Sequence, residues 1–348
     1  MQSAVTNPPR FFASLESLRG GAAVIVALYH VSWQTHFTSL GLVRNASLMV
    51  DLFFVLSGFV MMHSYGGRLA AGLTWRRFAA ARLARLYPLH IVTLLAFLAI
   101  EIAKWGAVHF HLASIASAPF GENTLAALIG NLLLIHSLGF WSAPAWNVPS
   151  WSISTEFYTY LLFAFICRIP RIALSAAILA TAGFALSWTL VGDLSSTAKY
   201  GFARCILGFF SGVIAWHIHR KIAKTAPPIA AIAITIAAAC FASFTAQGHA
   251  DFLAIPVFMT LVIVCALTEA PPPRALTWLG AVSYSVYLVH PVIIWCFETL
   301  LQHIWKTPRE TYYATGLWQG DALAAAYIAI VLAVSQFTYT QVERRFRA

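Results

Sequence analysis

Apolar residues arrive in long blocks along this chain, and the polar connectors between them are short. Ten blocks are long enough to cross a bilayer: Leu15–Thr35, Ser47–Tyr65, Leu86–Trp105, Trp151–Ile169, Ile172–Val191, Gly201–His219, Pro228–Ala246, Phe252–Leu267, Leu279–Leu301 and Ala322–Tyr339. A further apolar run, Leu125–Phe140, is short and leads into an uncharged stretch rich in Trp, Pro and Asn. The pattern predicts an all-α membrane protein of about ten transmembrane helices. It adds a short apolar segment that does not cross and lies on the outer face. Residues 1–348 read as a single integral membrane domain, without an internal repeat or a low-complexity segment.

Composition agrees: 60% of residues are hydrophobic, only 10% are charged, and the mean hydropathy is +0.75. A soluble domain carries about 25% charged residues. The first apolar run lacks a small-residue cleavage site after it and holds Arg19 and His30, so it reads as a retained helix, not a cleaved leader. Cys167, Cys205, Cys240, Cys265 and Cys296 all fall in apolar segments without metal-type spacing and read as packing residues.

The net charge of +10 tracks topology and does not point to nucleic acid. With a cytoplasmic N-terminus and a non-crossing Leu125–Phe140, fifteen Lys and Arg residues fall inside and six outside. The inner set includes Arg68, Arg76, Arg77, Arg82 and Arg85; the outer set is Arg44, Lys104, Lys199, Arg204, Lys306 and Arg309. Were Leu125–Phe140 to cross, later loops would flip and the bias would largely vanish. The expectation is a multi-pass protein of the cytoplasmic (inner) membrane with both termini in the cytoplasm.

Charged groups inside such segments cost about 2.5–3.5 kcal/mol each on insertion scales, so each calls for a reason. Arg19 and His30 lie eleven positions apart in one segment. Eleven helical steps return to within about 20° of the starting direction. The two side chains therefore share a face and are separated by roughly 16 Å along the axis. Asp51 opens the second segment from outside, Glu156 lies one to two turns into the fourth, and His290 sits mid-segment in S-Y-S-V-Y-L-V-H-P. His30, Asp51 and Glu156 share approximately one depth. A carboxylate beside an imidazole fixes its tautomer and supports its charge, and the ring can then act as general base on a hydroxyl. Helix-stitching polar contacts are the plainer reading of the same residues.

The loop W-R-R-F-A-A-A-R-L-A-R-L-Y-P carries Arg77, Arg82 and Arg85. Arg82 and Arg85 are neighbours on a helical face and would suit phosphate, although a headgroup-facing anchor would look alike. Trp146 and Trp151 could stack a sugar ring or serve as interfacial anchors. Ser57 and Tyr287 are further polar groups, able to contact an oxyanion or an acceptor or simply to join helices. A transporter or lipid carrier using the Arg19–His30 stripe as a polar path is the rival of a different class. The lack of repeats leans against it.

Together these motifs resemble the acyltransferase 3 family of integral membrane acyltransferases. The resemblance rests on Arg19-x10-His30, D-L-F-F-V-L-S-G-F at Asp51–Phe59, Arg82-x-x-Arg85, W-S-I-S-T-E at Trp151–Glu156, S-Y-S-V-Y-L-V-H-P at Ser283–Pro291, and V-E-R-R-F near the C-terminus. It implies a ten-helix enzyme taking an acyl group, usually acetyl, from cytoplasmic acyl-CoA to a hydroxyl of a sugar, polysaccharide or lipid-linked glycan. Arg19 and His30 would be the essential pair, and Arg82 and Arg85, with Arg77, would serve the donor. Glu156 or Asp51 would support His30, and Trp146, Trp151, Tyr287 and His290 would lie toward the acceptor. Membrane lipids and the glycan are the implied partners; neither a metal nor nucleic acid is expected. The chain would be of the kind without an additional extracytoplasmic domain.

Overall fold

The computed structural model describes residues 11–111, 118–222, 248–268, 271–305 and 316–346. All regular structure among them is helical. The main helices are α1 (Ala13–Tyr29), α2 (Ala46–Ala70), α3 (Trp75–His109), α4 (Leu125–Leu132), α5 (Trp151–Ile166), α6 (Ile172–Leu190), α7 (Gly201–Lys221), α8 (Ala254–Leu267), α9 (Arg274–Trp305) and α10 (Leu317–Gln341).

Seven segments among the described residues are long and apolar enough to span a membrane. Helices α1 and α5 match two further predicted segments but hold only 17 and 16 residues. The predicted segment Pro228–Ala246 lies outside the described residues, as does Cys240. A count of ten crossings is therefore an expectation, and the multi-pass helical class is what the fold carries. Helix α4 has eight residues, about 12 Å of rise, which is too short to cross.

Local chemistry explains several boundaries. The Thr74 and Thr124 hydroxyls accept from the amides of Arg77 and Ala127, capping α3 and α4. Pro88 and Pro291 lie within α3 and α9 and interrupt their ladders. Within a turn of each, a carbonyl takes a side-chain donor: Tyr284 to Leu86 at 2.6 Å, and Asn147 to Leu288 at 3.0 Å. Residues Met62–Gly66 form one π-helical turn inside α2, which shifts the helical phase beneath the site.

Small residues let the helices that build the site touch at backbone distance. A Cβ on Gly20 would lie 2.6 Å from the Gly280 nitrogen, and one on Gly280 would collide with the Glu16 carbonyl. This contact locks α1 against α9. Phe54, Phe59, Phe78, Phe163, Phe209 and Phe210 fill the centre of the bundle. Leu95, Ile102, Leu174 and Ile178 face outward, as lipid-facing positions do.

Two of the cations assigned to outer loops are in fact buried. Arg204 Nε and Nη2 donate to the two oxygens of Asp51 at 2.9 and 2.7 Å, and Nη2 also reaches the Ser47 carbonyl at 2.9 Å. The guanidinium lies 5.1 Å above the Trp151 ring. Lys104 donates to Glu101 at 2.9 Å, and Glu101 also accepts from the Phe120 amide and the Asn123 side chain. These pairs hold the loops at that end of the bundle.

Of the described cysteines, Cys167, Cys205 and Cys265 are free and buried, in keeping with a packing role, and Cys296 is free and exposed.

Candidate active site

A cavity of about 410 Å³ lies between α1, α2, α3, α5 and α9. Chain direction gives it two ends. Helix α2 lines it from Phe53 to Arg68, roughly 22 Å of helix. Arg68, Arg82, Arg85 and Tyr65 stand at one end; Phe53, Ser152, Ile153 and Tyr287 stand at the other, and Arg19 and Glu156 lie along the wall. Four guanidinium groups thus line the cavity with two carboxylates, Glu16 and Glu156.

Each charged wall residue is held by its neighbours. Arg19 pairs with Glu16 one turn before it, donates from Nε to Ser283 at 2.8 Å, and reaches the Gly280 carbonyl at 3.1 Å. The Gly20–Gly280 contact makes this possible, because it brings the α9 backbone within reach. Arg82 donates to the Tyr65 hydroxyl at 2.8 Å and lies 4.8 Å over the Tyr65 ring, so the π-helical turn supplies its support. Its Nε is buried and has no hydrogen-bond partner among the described residues. Glu156 accepts from the Tyr160 hydroxyl at 2.7 Å, and Ser57 lies 2.9 Å from that same hydroxyl. At the far end the Tyr287 hydroxyl donates to the Pro149 carbonyl at 3.0 Å, with the Ser152 hydroxyl also at 3.0 Å.

His30 is the C-cap residue of α1, one α-helical stretch beyond Arg19. Both residues meet α9: Arg19 at Gly280 and Ser283, His30 at His290. The shared face is therefore real. The His30 and His290 rings lie 4.8 Å apart between centroids, and the His290 ring is 6.1 Å from that of Tyr287. His30 Nδ1 is 2.9 Å from the Val26 carbonyl, and His290 Nδ1 is 3.2 Å from the Val286 carbonyl. A carbonyl only accepts, so Nδ1 carries the proton in each neutral ring and Nε2 keeps its lone pair. His290 is completely buried, and its Nε2 has no partner among the described residues.

Several expected placements differ. Depth suggested that Asp51 or Glu156 would orient His30. Asp51 is instead fully buried and committed to Arg204, and Glu156 bonds Tyr160 within the cavity. A backbone carbonyl holds the His30 ring, and a second imidazole faces it. Arg77 is exposed and does not line the cavity, unlike Arg82 and Arg85. Trp146 and Trp151 are both buried: Trp146 bonds Asn123 and Thr124, and Trp151 packs on Phe54 beneath Arg204, so neither offers a free ring face to a sugar.

Reading the sequence passed over Glu16, Tyr65, Tyr160 and Arg204. Glu16 had a signal, since it lies three residues before Arg19 on the same helix. Arg204 had a weaker one, a cation inside an apolar block. The C-terminal V-E-R-R-F motif also gains a role, because buried Glu343 accepts from Ser285 at 2.5 Å and ties the chain end to α9.

An acyltransferase domain family matches residues 12–340. The chain is 28% identical to "Acyltransferase MdmB" of Streptomyces mycarofaciens, over 97% of this chain and 92% of that protein. It is 27% identical to "Putative membrane-bound transacylase BcsY" of Komagataeibacter xylinus, over 95% of this chain and 81% of that protein. It is also 24% identical to "Putative acetyltransferase ORF330" of Acidianus two-tailed virus, over 79% and 81%. No solved structure matches. The transporter reading is not favoured by these likenesses. The chain belongs to the acyltransferase 3 family and is an acyltransferase acting on groups other than aminoacyl groups.

Proposed function

We propose that the protein transfers an acyl group, acetyl foremost, from acyl-CoA at the cytoplasmic face of the inner membrane to a hydroxyl of a sugar, polysaccharide or lipid-linked glycan. The observation that carries this reading is the layout of one seam along α1 and α9. Guanidinium groups stand at one end of the cavity, and a pair of imidazoles stands one helical turn past the other.

In this reading Arg82 and Arg85 hold the phosphates of CoA. The buried, unpartnered Nε of Arg82 supports this, since guanidinium binds phosphate through several donors at once. The pantetheine arm lies along the wall past Arg19, and the thioester meets the imidazole end. His30 Nε2 takes the proton of the acceptor hydroxyl while its oxygen attacks the thioester carbonyl. The carbon–sulfur bond breaks, the ester forms, and the proton passes to the departing thiolate. In the covalent alternative Nε2 itself attacks, CoA leaves as thiolate, and the acceptor oxygen then displaces the imidazole from the acyl carbon, its proton passing to the released thiolate. In both routes the Val26 carbonyl does the orienting, because it fixes which ring nitrogen is free.

The test uses vesicles of the full-length protein, labelled acetyl-CoA supplied outside or inside, and envelope glycans as acceptor. Mass shifts by one acetyl group in the presence of protein, lost in a folded His30→Ala variant, support the reading. Undiminished acetylation by that variant, or none dependent on CoA, overturns it.

A further inference from the structure

The cavity stops short of the imidazoles, and what stops it has a defined chemistry. Its far wall is the Tyr287 ring with Phe53 set edge-on against it, 5.6 Å between centroids and 85° between planes. The Tyr287 hydroxyl is pinned by the Pro149 carbonyl and by Ser152. Past the ring, the space is filled by completely buried His290 and then by His30. Phe53 and Tyr287 thus bound the space at the point where a donor threaded from the arginine end would carry its acyl group.

We propose that Tyr287 and Phe53 form a size-selecting wall that restricts the donor to short acyl groups, so these two residues set acyl specificity. This rests on the reading that acyl-CoA occupies the cavity. The wall is apolar and closely packed, and its pinned ring cannot swing aside without losing both contacts of its hydroxyl. Every added methylene of the acyl group must push against ring carbon. Removing either ring opens space in line with the chain. Removing only the Tyr287 hydroxyl keeps the bulk and frees the ring to move.

The experiment is titration calorimetry of the full-length protein in detergent with CoA, acetyl-CoA, butyryl-CoA and hexanoyl-CoA. CoA has no acyl group and serves as the internal reference. A pocket that discriminates single methylenes does so by about tenfold or more, so the wild type is expected to bind hexanoyl-CoA at least about tenfold more weakly than acetyl-CoA. Phe53→Ala and Tyr287→Leu are expected to bring the ratio near unity, and Tyr287→Phe to an intermediate value, with CoA affinity as in the wild type. Folding is checked by thermal unfolding, and Phe53→Ala stands in should the Tyr287 variant fail to fold. A wild type indifferent to chain length, or variants that keep the wild-type ratio, overturns the proposal while leaving donor binding intact. Failure to bind CoA or any ester removes the donor reading itself, an outcome separate from the first.

Discussion

Replacing Asp51 with Asn tests whether this carboxylate belongs to the framework or to the chemistry. The change keeps size and shape but leaves the Arg204 guanidinium charged and buried without its counter-ion. Arg204 is 2% exposed and Asp51 is 0% exposed, so solvent cannot compensate. Two charge-assisted hydrogen bonds, at 2.9 and 2.7 Å, are weakened together. Breaking a buried pair from one side costs about 3–5 kcal/mol, a shift of roughly a hundredfold to a few thousandfold in the unfolding equilibrium. Asp51→Asn should therefore unfold at markedly lower temperature in detergent. Asp51→Leu combined with Arg204→Met should recover much of the loss, because apolar replacement of both partners removes the stranded charge. The assay pairs thermal unfolding with turnover per folded molecule, measured below the transition. Turnover per folded molecule should stay near wild type. An Asp51→Asn protein with unchanged unfolding and lost turnover would place the carboxylate in the reaction and refute this assignment.

Other expectations follow from the same geometry. The Arg82→Ala, Arg85→Ala double variant should weaken acyl-CoA affinity by at least about a hundredfold, since each charge-assisted bond contributes about 1.5–3 kcal/mol, and leave acceptor affinity nearly unchanged; calorimetry with each ligand checks this. Gly280→Leu, whose Cβ meets the Glu16 carbonyl, should abolish the folded peak in size exclusion, whereas Gly21→Ala, with open space around it, should be tolerated. His136, in the loop between α4 and α5, is pushed from 6.5 down to about 4 by burial and, less so, by neighbouring His90. The folded protein then binds fewer protons there than the unfolded chain, so stability is lost as pH falls from 6.5 toward 4. The unfolding temperature should drop over that range, and His136→Gln should flatten the slope.

What the sequence made legible was periodic or local. Arg19 and His30 share a face because eleven residues make just over three whole turns, and both meet α9. Arg82 and Arg85 reach one cavity because a spacing of three keeps them on one side. Helix α4 stops at Leu132, halfway through the apolar run Leu125–Phe140, where Leu134 turns the backbone to a φ of 56°, a stop that hydropathy does not signal. The carboxylate partner of His30 was misjudged because depth along a helix fixes height but not azimuth. Asp51 has the right height, yet α2 turns it toward α7. The His30–His290 and Asp51–Arg204 contacts join residues far apart in sequence, and spacing says nothing about such meetings. Trp146 and Trp151 were read by residue type, and type cannot distinguish an exposed ring from one whose N–H and faces find partners in the bundle. The π-helical turn at Met62–Gly66 has no clear signature in M-H-S-Y-G, yet it sets Tyr65 beneath Arg82.

The most direct measurement is an experimental structure of the full-length protein with a thioether analogue of acetyl-CoA, which cannot release its acyl group. The analogue should place its phosphates within hydrogen-bond reach of Arg82 and Arg85, run past Arg19, and end with its acyl group against Tyr287 and Phe53, at the end of the cavity nearer the His30–His290 pair. Density for the analogue outside the cavity, or in it with the acyl end turned toward the arginines, would contradict the account.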